Sequence, residues 1–365
     1  MTETVQAKKA GRTALTIVLR CLLVLFTVIV LAVAGLCMVL NLIFNGPSES
    51  ARDVLTMSLL ESSAMKWVPA IFIGEEKVAE IQTKDTTPLP EDVSDVSQVV
   101  IDINSASSNE WKDYPDGIRI ETVYGSTYTA HVMLIRDPSS VYLATSTDSF
   151  NINIDGTRIH NQIETEGAIA AINAGAFNDD GTAQSYIGSL PIGMVVSEGK
   201  VLWDDGKSYY GFAGLTEDNV LVVANTIDRT QVEELKIRDG CCFGPVLLMN
   251  GVVNDSAYNS NSGYNPRTAI GQRPDGTIIF LCVDGRQAGS LGATYADLVN
   301  IMVEFGAVNA CNLDGGASTV MLYRDNYGLY GSAGKVVMIN SYSLLQESPR
   351  KMPTFFMVRA SESEE

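Results

Sequence analysis

Histidine is nearly missing from this chain: only His131 and His160 occur in 365 residues, which excludes a histidine-rich zinc centre. Cys241 and Cys242 are adjacent and so lack the two-residue spacing of a zinc knuckle. Positive charge is also scarce, with 25 Lys and Arg against 43 Asp and Glu and a net charge of −18. Such a surface repels polyanions, so nucleic acid is not an expected partner, and an anionic substrate needs a local cluster of Arg or Lys. There is no glycine-rich P-loop and no Gly-x-Ser-x-Gly nucleophile elbow. Neither a nucleotide hydrolase nor an α/β-hydrolase is indicated.

One hydrophobic run stands out. No charge occurs from Cys21 to Phe44, and 24 helical residues rise roughly 36 Å, enough to cross a bilayer core. Lys8, Lys9, Arg12 and Arg20 precede it and only Glu3 opposes them, which places the N-terminus in the cytoplasm and the rest of the chain outside. Ala32-Val-Ala34 also fits signal-peptidase cleavage. The apolar run continues through Leu42-Ile-Phe44, which favours an uncleaved anchor. Taking the arm's +3 from −18 leaves −21 on the exported part.

Organisation follows from composition: a cytoplasmic arm over 1–20, an anchor over 21–44, a juxtamembrane helix and acidic linker over 45–110, and a domain over 111–360. Ser48 can cap a helix from Pro47 to Met65 with Val54, Met57, Leu60 and Met65 as a partial stripe. Residues 84–109, rich in Asp, Ser, Thr and Pro, read as a stalk. Beyond Trp111 the texture becomes short β-like runs, such as IRIETVY, TAHVMLI, AIAAIN, PVLLMNGVV and TIIFLCVDG, with a hairpin at Glu198-Gly199. Thr294 and Asp297 form a capping-box start to a helix carrying Leu298, Met302 and Phe305, stopped at Gly306. The expected fold class is α+β: a mixed β-sheet domain after one transmembrane helix. Its 277–313 unit, β-loop-α-β, returns the second strand parallel to the first and delivers Asp284 and Asp314 to one sheet edge.

Four of the six cysteines lie in the soluble part, too few for a disulfide scaffold. Cys282 and Cys311 are either a bridge or two of four buried thiols.

Four polar clusters border apolar strands: Ala171-Ile-Asn-Ala-Gly-Ala-Phe-Asn178, Asn265-Pro-Arg-Thr-Ala-Ile-Gly271, Val283-Asp-Gly-Arg286 and Asn312-Leu-Asp-Gly-Gly-Ala-Ser-Thr319. Singly each reads as a turn, and Asp-Gly recurs at 116, 155, 180, 239 and 275. In this order, with a helix between the last two, they resemble the phosphodiester glycosidase family over roughly residues 111 to 360. The family's last motif commonly carries a third glycine and paired serines, where this chain has Ala317, Ser318 and Thr319; alanine is mild there if its φ is negative.

The resemblance implies hydrolysis of a sugar-1-phosphodiester of the N-acetylglucosamine type, in an exported protein of exopolysaccharide or cell-wall metabolism. The partners it implies are a phosphosugar or cell-surface glycan, and the membrane through the N-terminal helix. Cleavage at the anomeric carbon develops positive charge on the ring and negative charge on the departing phosphate. Asp284 and Asp314 are the carboxylates for the first, with Glu166 as a third candidate. Arg267 and Arg286 suit the phosphate by bidentate contact, and Gly315, Gly316, Ser318 and Thr319 offer backbone and hydroxyl donors. Asn173, Asn178, Thr268 and Asn312 are the remaining polar candidates for sugar or phosphate, and Phe177 for stacking. No cofactor is required and no catalytic metal is expected; Asn178-Asp-Asp-Gly181 leaves room for a structural Ca²⁺. The competing expectation is a non-catalytic surface protein that binds glycans in the same pocket.

Overall fold

A computed structural model of the chain describes residues 2–62, 65–83, 92–101, 110–178, 187–207, 211–331, 333–342 and 348–360. Three helices come first: α1 (Thr2–Phe44), α2 (Glu49–Leu60) and α3 (Val68–Thr83). Within α1, Ile17–Asn45 has a mean hydropathy of 3.0 and stays exposed along its apolar window, so it is long and apolar enough to cross a membrane. Ser48 caps α2 as its sequence predicts, its hydroxyl accepting from the Ala51 N–H at 3.2 Å. The helix stops at Leu60 rather than Met65. Helix α3 has no counterpart in the sequence reading; Gly74, at φ 77° and ψ 157°, breaks it into an apolar and a charged half. Residues 92–101 of the acidic stretch run along the domain: the Ser94 N–H donates to the Val223 carbonyl, the Val223 N–H donates to Ser94 Oγ, and Val99 is buried.

The strands follow. After β1 (Ile118–Tyr124), β2 (Thr129–Ile135) and β3 (Val141–Thr145), helix α4 (Ile159–Glu166) leads into β4 (Ala170–Asn173). Strands β5 (Met194–Ser197) and β6 (Lys200–Asp204) make the expected hairpin, with Glu198 at φ 51° and Gly199 at φ 72°, the left-handed pair that a two-residue turn needs. Next come β7 (Gly211–Thr216), β8 (Leu221–Ala224), α5 (Arg229–Glu234), β9 (Ile237–Phe243), β10 (Val246–Met249), β11 (Val252–Val253) and α6 (Asp255–Tyr258). The last group is β12 (Arg267–Gln272), β13 (Ile278–Val283), α7 (Tyr295–Glu304), β14 (Asn309–Leu313), β15 (Met321–Arg324), β16 (Val336–Met338) and β17 (Thr354–Val358).

These strands form a seven-stranded sheet, β1-β2-β13-β12-β14-β10-β11, and two five-stranded sheets, β16-β15-β4-β17-β3 and β6-β5-β9-β7-β8. The sequence predicts β13 and β14 as parallel neighbours. They do run parallel, but β12 lies between them and is antiparallel to both. The short turn after Gln272 folds β12 directly onto β13, so the α7 crossover has to reach one strand further.

Every residue of β12, β13 and β14 is buried, because the sheet is covered on both faces. Along β13, Ile278, Phe280 and Cys282 enter the inner core shared with the other sheets, whereas Ile279, Leu281 and Val283 pack under α7. That two-sided burial explains the unbroken apolar run IIFLCV. Buried polar residues in these strands are spent on cross-links, as burial requires. Gln272 Oε1 accepts from the Leu221 N–H at 2.6 Å, and its Nε2 donates to the carbonyls of Asn219 and Gly276. Asn309 Nδ2 donates to the Leu221 carbonyl.

Helix α7 presents Leu298, Val299, Ile301 and Met302 to the sheet. Its start is the predicted capping box: Asp297 N–H donates to Thr294 Oγ1 at 3.2 Å, and Thr294 N–H to Asp297 Oδ2 at 2.8 Å. Gly306, at φ 81°, follows its end. Thr294→Ala removes one half of the box and is expected to cost about 1 kcal/mol, read as a lower urea midpoint with an unchanged slope; an unchanged midpoint would show that the cap contributes nothing.

Candidate active site

Antiparallel pairing on both sides of β12 brings its first residues level with the last residues of its neighbours, pairing Arg267 with Val283 and Thr268 with Leu313. The Asp284-Gly285 and Asp314-Gly315 turns therefore flank Pro266. A Cβ on Gly285 would lie 2.6 Å from the Pro266 nitrogen, and one on Gly315 2.7 Å from the Pro266 carbonyl oxygen. Only glycine permits that approach. Gly316, at φ 61°, donates its N–H to the same carbonyl at 2.8 Å. Ala317 follows inside a short 3₁₀ turn, Gly316–Ser318, and is not among the residues with positive φ, so the missing third glycine leaves this loop unstrained.

Arg267 and Thr268 point to opposite faces of the sheet and divide the site in two. On the inner face, Thr268 Oγ1 donates to Asn173 Oδ1 at 2.8 Å, and the same oxygen accepts from the Val320 N–H at 3.1 Å. Asn173 Nδ2 donates to the Asp314 carbonyl. Asn173 thus clips the Asp314 turn to the second sheet. Asp284, 5% exposed, accepts from the Ser341 N–H at 2.7 Å through Oδ1, and its Oδ2 lies 3.3 Å from His131 Nε2. Ser290 Oγ donates to the Asp284 carbonyl. His131 comes from β2, two places from the sheet's centre; its only trace in the sequence is a polar residue inside an apolar run.

On the outer face, Arg267 is 2% exposed. Its guanidinium donates to the carbonyls of Ser262 (2.6 Å), Gly263 (3.3 Å) and Ala293 (3.2 Å), lies 4.3 Å from the centre of the Tyr295 ring and meets Glu61 Oε2 at 2.9 Å. Burial works to lower the Arg267 pKa, but Glu61 and Tyr295 hold it above the ordinary value. Burial pushes the Tyr295 phenol up to about 12, which keeps it neutral. Arg286, in the left-handed region at φ 56°, donates to the Glu61 carbonyl and to Asn265 Oδ1, both at 3.1 Å. Its guanidinium would lie 3.5 Å from a Cβ on Gly316.

Glu61, at the end of α2, engages both arginines. Its side chain remains 30% exposed. Desolvation raises its pKa against the pull of Arg267 and Arg286. Helix α2 is seated by Ser58, whose Oγ accepts from the Tyr264 N–H at 2.9 Å. Nothing in the local sequence marks this contact, which joins residues about two hundred positions apart.

Several buried polar atoms at this edge have no hydrogen-bond partner: Asn265 Nδ2, Asn312 Oδ1, Ser318 Oγ and Thr319 Oγ1. Burying such groups unpaired is costly. Asn312 spends its Nδ2 on the Gly244 carbonyl. A cavity of about 580 Å³ is lined by Ser262 and Tyr295, which also contact Arg267, and by Met57 and Ile81 of α2 and α3.

Asp284, Asp314, Arg267, Arg286, Thr268, Asn312, Gly315, Gly316, Ser318 and Thr319 all lie along this edge or in the strands that form it, and Asn173 reaches it from β4 of the second sheet. Glu166 does not: it ends α4 at the other end of β4, where it accepts from Gln162 Nε2 at 2.9 Å and lines a separate cavity with Tyr142, Asp239 and Arg359. Asn178 is exposed, after a buried Phe177 that lies under Arg350. The rest of the proposed Ca²⁺ loop, residues 179–181, falls outside the described residues. Among the described residues, no three His, Cys, Asp or Glu side chains gather as a metal site. Cys282 and Cys311 are free thiols on strands either side of β12.

Comparison with known proteins bears on the family and the fold. A curated relative, the SPbeta prophage-derived uncharacterized protein YomE of Bacillus subtilis (strain 168), is 26% identical over 199 residues; these are 52% of this chain but 28% of that protein, so the chain spans under a third of its length. Among solved structures, the catalytic domain of zebrafish N-acetylglucosamine-1-phosphodiester alpha-N-acetylglucosaminidase, auto-inhibited by its pro-peptide, superposes with a TM-score of 0.50. It shares 20% identity, with 66% of this chain and 82% of that one covered, and supports the fold. The phosphodiester glycosidase family model matches residues 166–359, more than half of the chain and all four motifs, and the chain belongs to that family.

Proposed function

We propose that this protein is a membrane-anchored, exported hydrolase that cleaves a glycosyl 1-phosphodiester of the N-acetylglucosamine type, in exopolysaccharide or cell-wall metabolism. The observation that carries the reading is the meeting of two Asp-Gly turns and two arginines at one sheet edge, where Arg267 pairs with the Glu61 carboxylate and Arg286 donates to the Glu61 carbonyl. Water adds to the anomeric carbon, the bond from that carbon to the phosphate oxygen breaks, and the phosphate monoester leaves with the bonding electrons. One of Asp284 and Asp314 takes the water's proton or attacks directly, and the other stabilises the positive ring. Arg267, Arg286 and the Gly315 N–H receive the developing phosphate charge, while the Gly316 N–H is held by the Pro266 carbonyl. Asn312, Ser318 and Thr319 supply further polar contacts, with Thr268 and Asn173 holding the Asp314 turn in place.

In this reading the Glu61 carboxylate stands where a substrate phosphate would bind, and α2 has to yield for substrate to reach Arg267. Glu61→Gln in the full chain is expected to tighten sulfate binding roughly tenfold, about 1.4 kcal/mol, measured by calorimetry. Because the Glu61 pKa is raised, acid neutralises it earlier than an ordinary glutamate; wild-type affinity for sulfate then rises as pH falls, and the variant's stays flat. Unchanged or weaker binding in the variant would show that Glu61 only orients Arg267.

Turnover tests the reaction itself. With an N-acetylglucosamine 1-phosphodiester, the wild-type protein releases free sugar. Asp284→Asn and Asp314→Asn each reduce the rate on the order of 10²-fold or more while near-ultraviolet dichroism stays native. Full activity in both variants would remove the two carboxylates from the mechanism.

A further inference from the structure

We infer that the apolar first half of α3, with the turn before it, docks on a lipid bilayer and lies in its interfacial layer. The inference rests on reading α1 as a membrane span. Met65, Trp67 and Ile71 are 48%, 60% and 67% exposed. Trp67 stands immediately before the first residue of α3, and Ile71 lies in the first turn of that helix. Three large apolar side chains held this close together in water need a cover.

The position of the patch identifies the cover. Phe72, next to Ile71, stacks on Phe44 with ring centres 5.1 Å apart and planes 16° from parallel. Phe44 is the last residue of α1. The patch therefore lies beside the end of the span, whose own apolar surface is exposed, Met38 and Leu42 at 75% and 69%. A helix of that length and hydropathy has lipid as its neighbour, and the same lipid reaches its end.

Sequence and backbone divide at the same point. From Met65 to Ile73 the only charge is Lys66, whereas Glu75, Glu76 and Lys77 follow at once. Gly74, with φ 77° and ψ 157°, separates the halves, so the charged half departs in another direction. Tryptophan is favoured at the headgroup level, where its ring is apolar and its N–H stays wet, and a lysine beside it can extend its ammonium into the headgroups. Glu61 precedes Met65 by four positions in the chain, so a bilayer-bound α3 holds the arginine pair close to the membrane surface.

The test uses the full chain in phosphatidylcholine vesicles that contain lipids with a nitroxide either near the headgroup or deep in the acyl chain. Trp67 emission is isolated as the difference between wild type and Trp67→Phe, which leaves Trp111 and Trp203 in place. The inference predicts that this emission is quenched most by the shallow nitroxide and is protected from aqueous iodide. Emission quenched by iodide and indifferent to both nitroxides would overturn it, as would emission protected from all three quenchers, which would place a second copy or another protein on the patch. A carbonate wash of the same vesicles separates the two readings. If the chain resists extraction while Trp67 stays in water, the docking fails and the anchor stands; if the chain is extracted, both fail.

Discussion

Gly285 and Gly315 close on Pro266 from opposite sides, and a methyl group on either would come within 2.7 Å of its backbone. The rest of the site depends on this approach. Each glycine follows an aspartate that ends a strand, so two carboxylates are brought to the two sides of one residue. The next residue of that central strand, Arg267, then sends its side chain outward, and Thr268 turns inward. The inner side is tied to the second sheet through Asn173, and the outer side to α7 through Tyr295. A sheet buried on both faces makes these ties rigid, since mid-strand polar residues such as Gln272 and Asn309 are committed to cross-links.

Charge is handled locally. A protein of net charge −18 still builds a cationic spot by burying Arg267 against three carbonyls and an aromatic face. Arg286 is then held across Gly316 by a left-handed backbone. Two guanidinium groups this close repel each other in a medium of low dielectric, and the arrangement is stable with an anion between them. In the folded chain that anion is Glu61. The same logic that seats Glu61 is what a phosphodiester would use, so the contact is at once a structural link for α2 and a measure of what the cleft attracts.

Much of this was legible in the sequence. The capping box at Thr294 and Asp297, the stop at Gly306, the hairpin at Glu198-Gly199 and the Ser48 cap are local signals, and local backbone chemistry fixed each of them. The delivery of Asp284 and Asp314 to one edge was also legible, because a strand-helix-strand unit returns in the same direction whatever lies between. That β12 lies between was not, since hydrophobic alternation gives a strand's faces and not its partners. His131 and Glu61 were missed for the same reason: each reaches the site through a pairing or docking contact far away in sequence. Glu166 lay near in sequence to Asn173, but β4 runs between them and sets them at opposite ends of the strand.

The central claim is that this edge breaks the bond between a sugar's anomeric carbon and a phosphate. Hydrolysis of an N-acetylglucosamine 1-phosphodiester by the full chain in ¹⁸O-labelled water, with mass analysis of both products, tests it directly. The account predicts the label in the released sugar and none in the phosphate monoester; label in the phosphate, or no hydrolysis of such a diester, would contradict it.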